Sequence, residues 1–189
     1  AHGFREQGDR VFSRRLRPVA AETPTVLALG MSMTSSDHVQ LALNRLESAG
    51  ATDIVVIPAV STRHNTMLRQ WDYIFSRADQ PAYATVPQVD TGARLPFAAP
   101  LDDDPLVGDI LLDYAREISR VPAREEVIIV AHGPEGAADN AAQLAMLQRL
   151  ADYVAARSAY AAVRVATLQD DASAAVRAGT PCRAQATRN

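Results

Sequence analysis

Histidine is the residue type in this chain best suited to chemistry near neutral pH, and two of the four histidines are the first candidates for a site at the ends of strands. His2 lies in the tripeptide Ala-His-Gly, and His64 follows the apolar run at residues 53–58. An imidazole can bind a divalent first-row metal or accept a proton. Because ligands of doubly wound sheets bind at the carboxyl ends of the strands, the pair predicts a metal-binding and proton-accepting site. A hydrogen-bonded turn residue is the alternative for each.

The Ala-His-Gly tripeptide occurs a second time around His132, 130 positions after His2. This second copy directly follows the run Val-Ile-Ile-Val at residues 127–130, which is typical of a buried strand. Each copy is followed by a helical stretch, a strand and a polar turn into a further helix, so the order of elements recurs as well. The echo predicts an internal duplication and makes His132 a further candidate metal ligand.

Other polar and aromatic residues near His64 have two interpretations each. Arg63 and Arg69 are candidates for pairing with carboxylates of an anionic ligand, and a solvated helix face is the alternative. His38 falls in the first turn of a predicted helix, which favours a capping or surface role. The aromatic residues after Arg69 are candidates for stacking on a flat ligand, but they do not share one helix face, so at least part of that set is predicted to be core: Trp71, Tyr73 and Phe75.

The acidic run at residues 102–104 resembles a metal site at first sight. It stands directly before Pro105, however, and negative charge next to a proline is typical of the start of a helix. We therefore predict a helix start there.

Composition excludes several classes of function. The net charge of −3 provides no field for holding nucleic acid, and no apolar run approaches the roughly 20 residues that span a bilayer. The single cysteine, Cys182, cannot form an internal disulfide, which favours the reducing cytoplasm. No phosphate-binding or dinucleotide-binding glycine motif is present, so no nucleotide cofactor is expected.

The elements that must position these side chains alternate between strand and helix patterns, which predicts an α/β fold with a parallel sheet. Predicted strands lie at residues 25–29, 53–58, 82–86, 126–131 and 162–167. Predicted helices lie at residues 4–17, 36–48, 65–77, 105–119 and 139–156.

The segment at residues 87–104 is rich in Pro, Gly and Asp and is predicted to connect two halves. We expect residues 1–104 to form a first half whose first strand is missing. Residues 105–178 would form a second, incomplete half, and residues 179–189 a disordered tail. A sheet edge left open by a missing strand favours pairing between chains, so a homodimer is expected.

Taken in order, these motifs resemble the sirohydrochlorin chelatases of the class II type. The resemblance is carried by Ala-His-Gly, by the sequence Leu-Glu-Ser-Ala-Gly-Ala at residues 46–51, by the strand at residues 53–58 and by His64. The sequence around His132 is similar to the start of the same family. The resemblance implies a flavodoxin-like, chelatase-like fold with helices on both faces of parallel sheets and two similar halves, the second truncated.

The resemblance also implies an activity. Members of this family are metal chelatases, a kind of lyase, of siroheme and cobalamin biosynthesis; they insert Co²⁺ or Fe²⁺ into a tetrapyrrole without ATP. His2 and His64 match the family's metal-holding and proton-accepting histidines, and His132 matches the first of these in the second half. Arg63 and Arg69 would then face substrate carboxylates. A non-catalytic homologue that binds a metal or a tetrapyrrole is the alternative.

Overall fold

The computed structural model describes residues 5–169 and 172–173, which fall into two compact units divided between Pro100 and Leu101. Over these residues the chain forms five α-helices, one 3₁₀ turn and two strands. The helices are α1 (Arg5–Glu22), α2 (Asp37–Ser48), α3 (Thr66–Ile74), α4 (Pro105–Ile118) and α5 (Ala137–Ala155). The strands are β1 (Glu126–His132) and β2 (Ala162–Leu168), and the 3₁₀ turn spans Pro122–Arg124.

The second unit is built on a parallel pair of strands. β1 and β2 are in register from Glu126 opposite Ala162 to His132 opposite Leu168. Helix α5 connects the two strands, packs against β2 and is contacted in turn by α4. The buried side chains of this unit form one apolar cluster: Leu112, Ile129, Met146, Leu147, Leu150, Ala151, Val154 and Val163.

Helices α4 and α5 approach each other closely at a glycine. A Cβ atom at Gly108 would lie 2.4 Å from Cδ1 of Tyr153, well inside contact distance. Tyr153 in turn donates a hydrogen bond from its hydroxyl to Asp109 at 2.7 Å. The glycine therefore allows the tyrosine ring to lie across α4.

The first unit relies on short backbone pairings and on side chains. Residues 52–56 run parallel to residues 94–98 through backbone hydrogen bonds of 2.8 to 2.9 Å, with Asp53 opposite Arg94 and Val56 opposite Phe97. An apolar cluster forms around α3 and includes Val39, Met67, Trp71, Ile74 and Val86.

All five predicted helices are present, with bounds that differ by a few residues. The mixed α/β class and the two strands at residues 126–131 and 162–167 are likewise confirmed. No strand forms over residues 25–29 or 82–86, so those two predictions are wrong. At residues 53–58 the predicted strand is reduced to the short pairing described above. The proposed connection at residues 87–104 supplies the partner segment for that pairing, which its Pro and Gly content did not indicate.

A side chain explains why residues 82–86 need no strand partner. The amide oxygen of Gln70 accepts hydrogen bonds from the backbone N–H groups of Ala82 and Tyr83, each at 2.9 Å. Its amide nitrogen donates to the carbonyl of Ala84 at 2.9 Å. Gln70 is fully buried, so one side chain takes the place of a neighbouring strand.

Candidate functional site

The carboxyl end of the parallel sheet presents His132. This residue ends β1, lies opposite Leu168 in β2 and is exposed. Exposed groups at the carboxyl ends of parallel strands are placed where α/β proteins bind ligands. An imidazole at this position can bind a divalent metal or accept a proton.

The residue after His132 must be glycine. The backbone N–H of Gly133 donates to the carbonyl of Leu168 at 2.7 Å and extends the ladder by one bond. A Cβ atom at Gly133 would lie 2.8 Å from both Oδ1 of Asn140 and Cγ of Gln169. Because neighbouring side chains close over the glycine, the turn after His132 is tightly packed.

Three buried amide side chains hold this turn in place, and we call them the amide clamp: Asn140, Gln143 and Gln169. Nε2 of Gln143 donates to the carbonyl of His132 at 2.8 Å, and Nε2 of Gln169 donates to the carbonyl of Pro134 at 2.7 Å. Asn140 supports Gln169 through a 3.1 Å hydrogen bond from its Nδ2 to Oε1 of Gln169. The clamp fixes the backbone on both sides of Gly133, which orients His132.

One atom of the clamp is unsatisfied. Oδ1 of Asn140 is buried and has no hydrogen-bond partner among the described residues. It lies over Gly133, where a Cβ atom would otherwise stand. A weak contact from the Cα–H of the glycine is the interaction that this placement allows.

Sequence reasoning missed the amide clamp, although a signal was available. The buried stripe of α5 continues with a heptad spacing from Asn140 and Gln143 into Leu147, Leu150 and Val154. Polar residues at core positions of an amphipathic helix are out of pattern, because an unpaired buried amide is costly. Asn140 and Gln143 lie near the N-terminal end of α5, the helix that follows Ala-His-Gly, and this position indicates that they bind the turn at that tripeptide.

His64 stands in the first unit, directly before α3. Its backbone N–H donates to the hydroxyl of Thr62 at 3.2 Å, and Asn65 caps the helix by accepting from the N–H of Met67 at 2.8 Å. These two turns set the direction in which the chain enters α3. The imidazole itself is half-buried.

The other predicted site residues differ in what surrounds them. Arg63 and Arg69 are both exposed, and Nη2 of Arg69 donates to the hydroxyl of Thr66 at 3.3 Å, on its own helix. His2 lies outside the described residues. His64 belongs to the first unit and His132 to the second.

His38 has an internal role. Its Nε2 is 2.9 Å from the hydroxyl oxygen of Ser32, which also accepts the indole N–H of Trp71 at 2.8 Å. Ser32 is fully buried, and the imidazole ring lies where a side chain on Gly30 would stand. The prediction of a capping or surface role for His38 is therefore incomplete, because its ring is half-buried against the core.

The aromatic and acidic segments take the structural roles that were predicted for them. Trp71 and Tyr73 are buried in the core cluster of the first unit. Asp104 caps α4 by accepting from the N–H of Leu106 at 2.9 Å, which confirms a helix start at the acidic run. Asp103 forms an ion pair with Arg149 of α5.

Within residues 5–169 and 172–173, no three His, Cys, Asp or Glu side chains lie close enough together to hold a metal ion. None of the described helices is long and apolar enough to cross a membrane. No family model, no curated protein and no solved structure matches this chain.

Proposed function

We infer that this chain is a chelatase-like protein that inserts Co²⁺ or Fe²⁺ into a carboxylate-rich tetrapyrrole of the sirohydrochlorin type, without ATP. The observation that supports this proposal is the position of His132. Its exposed imidazole lies at the carboxyl end of β1, and its backbone is held by the amide clamp and by the close packing at Gly133. The proposed fold is a pair of flavodoxin-like halves, and the proposed compartment is the cytoplasm.

The chemistry requires groups that bind a metal and accept protons. A metal ion that enters the macrocycle displaces two pyrrole N–H protons, so a nearby imidazole shortens the path for each proton. In this proposal His2 and His64 hold the metal ion as substrate and accept those protons. His132 is the corresponding residue of the second half, and its imidazole has the same capacity.

Arginine completes the proposed site by recognising the substrate. The side chains of Arg63 and Arg69 are exposed on either side of the start of α3, close to His64 in sequence. A guanidinium group binds a carboxylate through two parallel hydrogen bonds. The two residues are therefore assigned to the acidic substituents of the tetrapyrrole.

The test is an anaerobic absorbance assay of cobalt and ferrous ion insertion into sirohydrochlorin. We expect wild type to accelerate insertion, and the variants His2→Ala and His64→Ala to lose about 100-fold or more, as for removal of a proton-accepting group. Arg63→Ala and Arg69→Ala should mainly raise KM. Arg45→Ala, which removes an exposed arginine of α2, is the matched control and should leave the rate unchanged.

The same assay separates catalysis from binding. An inactive wild type that still shifts the tetrapyrrole spectrum on binding would favour the non-catalytic homologue. If neither the metal nor the tetrapyrrole binds, the proposal is wrong, and the repeated Ala-His-Gly tripeptide is a feature of the fold without this function.

A further inference from the structure

Among the described residues of the second unit, one face of the β1–β2 pair carries exposed apolar side chains. The side chains of Val127, Ile129 and Ala131 belong to or pack against the core of the second unit. Those of the alternate positions are turned the other way, and Ile128, Val130 and Leu168 are 59%, 63% and 59% exposed. Parallel sheets are normally covered on both faces, so this exposed apolar surface is unusual, and it borders the edge of β1.

Among the described residues, β1 pairs with β2 alone, so its other edge has no strand partner there. The bond from the N–H of Gly133 to Leu168 shows that the odd-numbered residues of β1 direct their backbone groups toward β2. The backbone groups of Ile128 and Val130 therefore point to the opposite edge. The carbonyl of His132 at that edge is already occupied by Gln143. An edge with unpaired N–H and C=O groups is a template for another strand.

An apolar strip on α4 borders this edge. Four large apolar side chains at intervals of four residues are more than half exposed: Leu106, Ile110, Tyr114 and Ile118. Tyr114, Ile118 and the residues of β1 from Glu126 to Val130 line an open groove of about 590 Å³. The groove thus has a hydrogen-bonding wall and an apolar wall.

We propose that a second copy of this chain docks on the edge of β1 and on the α4 strip, with the two β1 strands antiparallel about a two-fold axis at Ile129. The residues whose backbone groups face the open edge then meet in pairs, Ile128 opposite the partner's Val130. Such pairs exchange two N–H to C=O hydrogen bonds each. Since this arrangement is symmetric, the same surface serves both copies.

A polar pair at each end of the strands favours this register. With Ile129 at the axis, Glu126 of one copy lies opposite the partner's His132, at each end of the strand pair. A carboxylate accepts a hydrogen bond from an imidazole N–H, and cross-strand pairs of this kind stabilise antiparallel strands. Glu126 also binds Arg164 at 2.9 Å, which holds the carboxylate at the surface of the sheet.

The size of the surface is adequate. A strand of seven residues is about 23 Å long, and the α4 strip beside it spans about 18 Å. Stable interfaces bury roughly 800 Å² on each partner. Strand pairing together with the apolar strip can reach this area, whereas the strand alone is narrow.

Sedimentation velocity of the full chain tests the proposal. We expect a dimer that is weakened about thirtyfold by Val130→Pro, because this substitution removes two intermolecular N–H donors per dimer. In one copy the N–H of Val130 takes no part in the β1–β2 ladder, so the fold should survive, as circular dichroism would show. Ile128→Lys tests the same edge independently. Leu41→Lys, at an exposed leucine of α2, is the control and should leave the dimer intact.

Disulfide trapping tests the register. In a Cys182→Ser background, the double variant Ile128→Cys/Val130→Cys should form a covalent dimer on oxidation, and Ile128→Cys alone should form much less. A monomeric wild type at high micromolar concentration, or a dimer indifferent to both edge variants, would overturn the proposal. Equal trapping by the single and double variants would also contradict it.

Discussion

Outside their helices, the two units form the hydrogen bonds of their backbone groups in different ways. In the second unit, seven residue pairs of β1 and β2 do so through a continuous parallel ladder. In the first unit the backbone pairing is short, and the side chains of Gln70 and Glu47 take over much of this work. Glu47 alone accepts from the hydroxyl of Thr91 and from the N–H groups of Gly92 and Ala93.

This difference determines where each unit is fragile. A ladder divides its hydrogen bonds among many residues, so no single side chain is essential to it, and close packing becomes the sensitive feature. A buried side chain that binds three backbone groups concentrates the same bonds in one residue. We therefore expect polar substitutions to damage the first unit and volume changes to damage the second.

The largest effect is expected for Gln70→Ala in the first unit. The substitution removes a fully buried side chain and leaves the backbone groups of Ala82, Tyr83 and Ala84 without their partner, which should cost about 3 kcal/mol of unfolding free energy. Trp71 is the only tryptophan and is buried one residue away, so its fluorescence during urea unfolding reports on this unit.

Gln148→Ala is the control for that experiment. Gln148 is bonded to Asp152 on the surface of α5, one helical turn away, and its loss should change the midpoint little. Equal stability of the Gln70 and Gln148 variants would show that the first unit does not depend on side-chain pairing, and the comparison would fail.

A smaller effect is expected for Gly133→Ala in the second unit. The new methyl group would lie 2.8 Å from Asn140 and Gln169, so the amide clamp must move, at a cost of about 2 kcal/mol. Gly136→Ala is the matched control, because the nearest atom to its Cβ would be 3.7 Å away. Circular dichroism should show earlier unfolding of the Gly133 variant only. Identical curves for both variants would mean that the turn after His132 is loosely packed.

The helices and the β1–β2 pair could be predicted from the sequence because each carries its own periodic signal. Apolar spacing marks α2 to α5, and the runs at residues 126–131 and 162–167 are short and rich in Val, Ile and Ala, which is typical of parallel strands. The run at residues 82–86 has the same composition but a different partner. Its pairing with the distant side chain of Gln70 leaves no local pattern, so it could not be predicted.

The site was predictable only in part. The position of His132 at a strand end follows directly from the apolar run before it. The amide clamp depends on Gln169, which comes 29 residues after Asn140 and meets it only when β2 pairs with β1. Sequence spacing indicates which residues share a helix face, but it does not show which side chains cross from helix to strand.

The smallest effect that we expect concerns Glu125, where the second unit does rely on one side chain. Hydrogen bonds from the hydroxyl of Ser119 and from the N–H groups of Val121 and Arg120 lower the pKa of its carboxyl group below the usual 4.5. Because the folded state stabilises the charged carboxylate of Glu125, the stabilisation is fully present above pH 4.5 and is lost as the pH falls through the lower, folded-state pKa.

Glu125→Gln should therefore unfold slightly earlier than wild type in urea at pH 7, and the two unfolding midpoints should converge in acid. Glu117→Gln, at an exposed position of α4, should stay close to wild type at pH 7. If the difference between Glu125→Gln and wild type grows as the pH falls, the charged carboxylate of Glu125 does not stabilise the second unit.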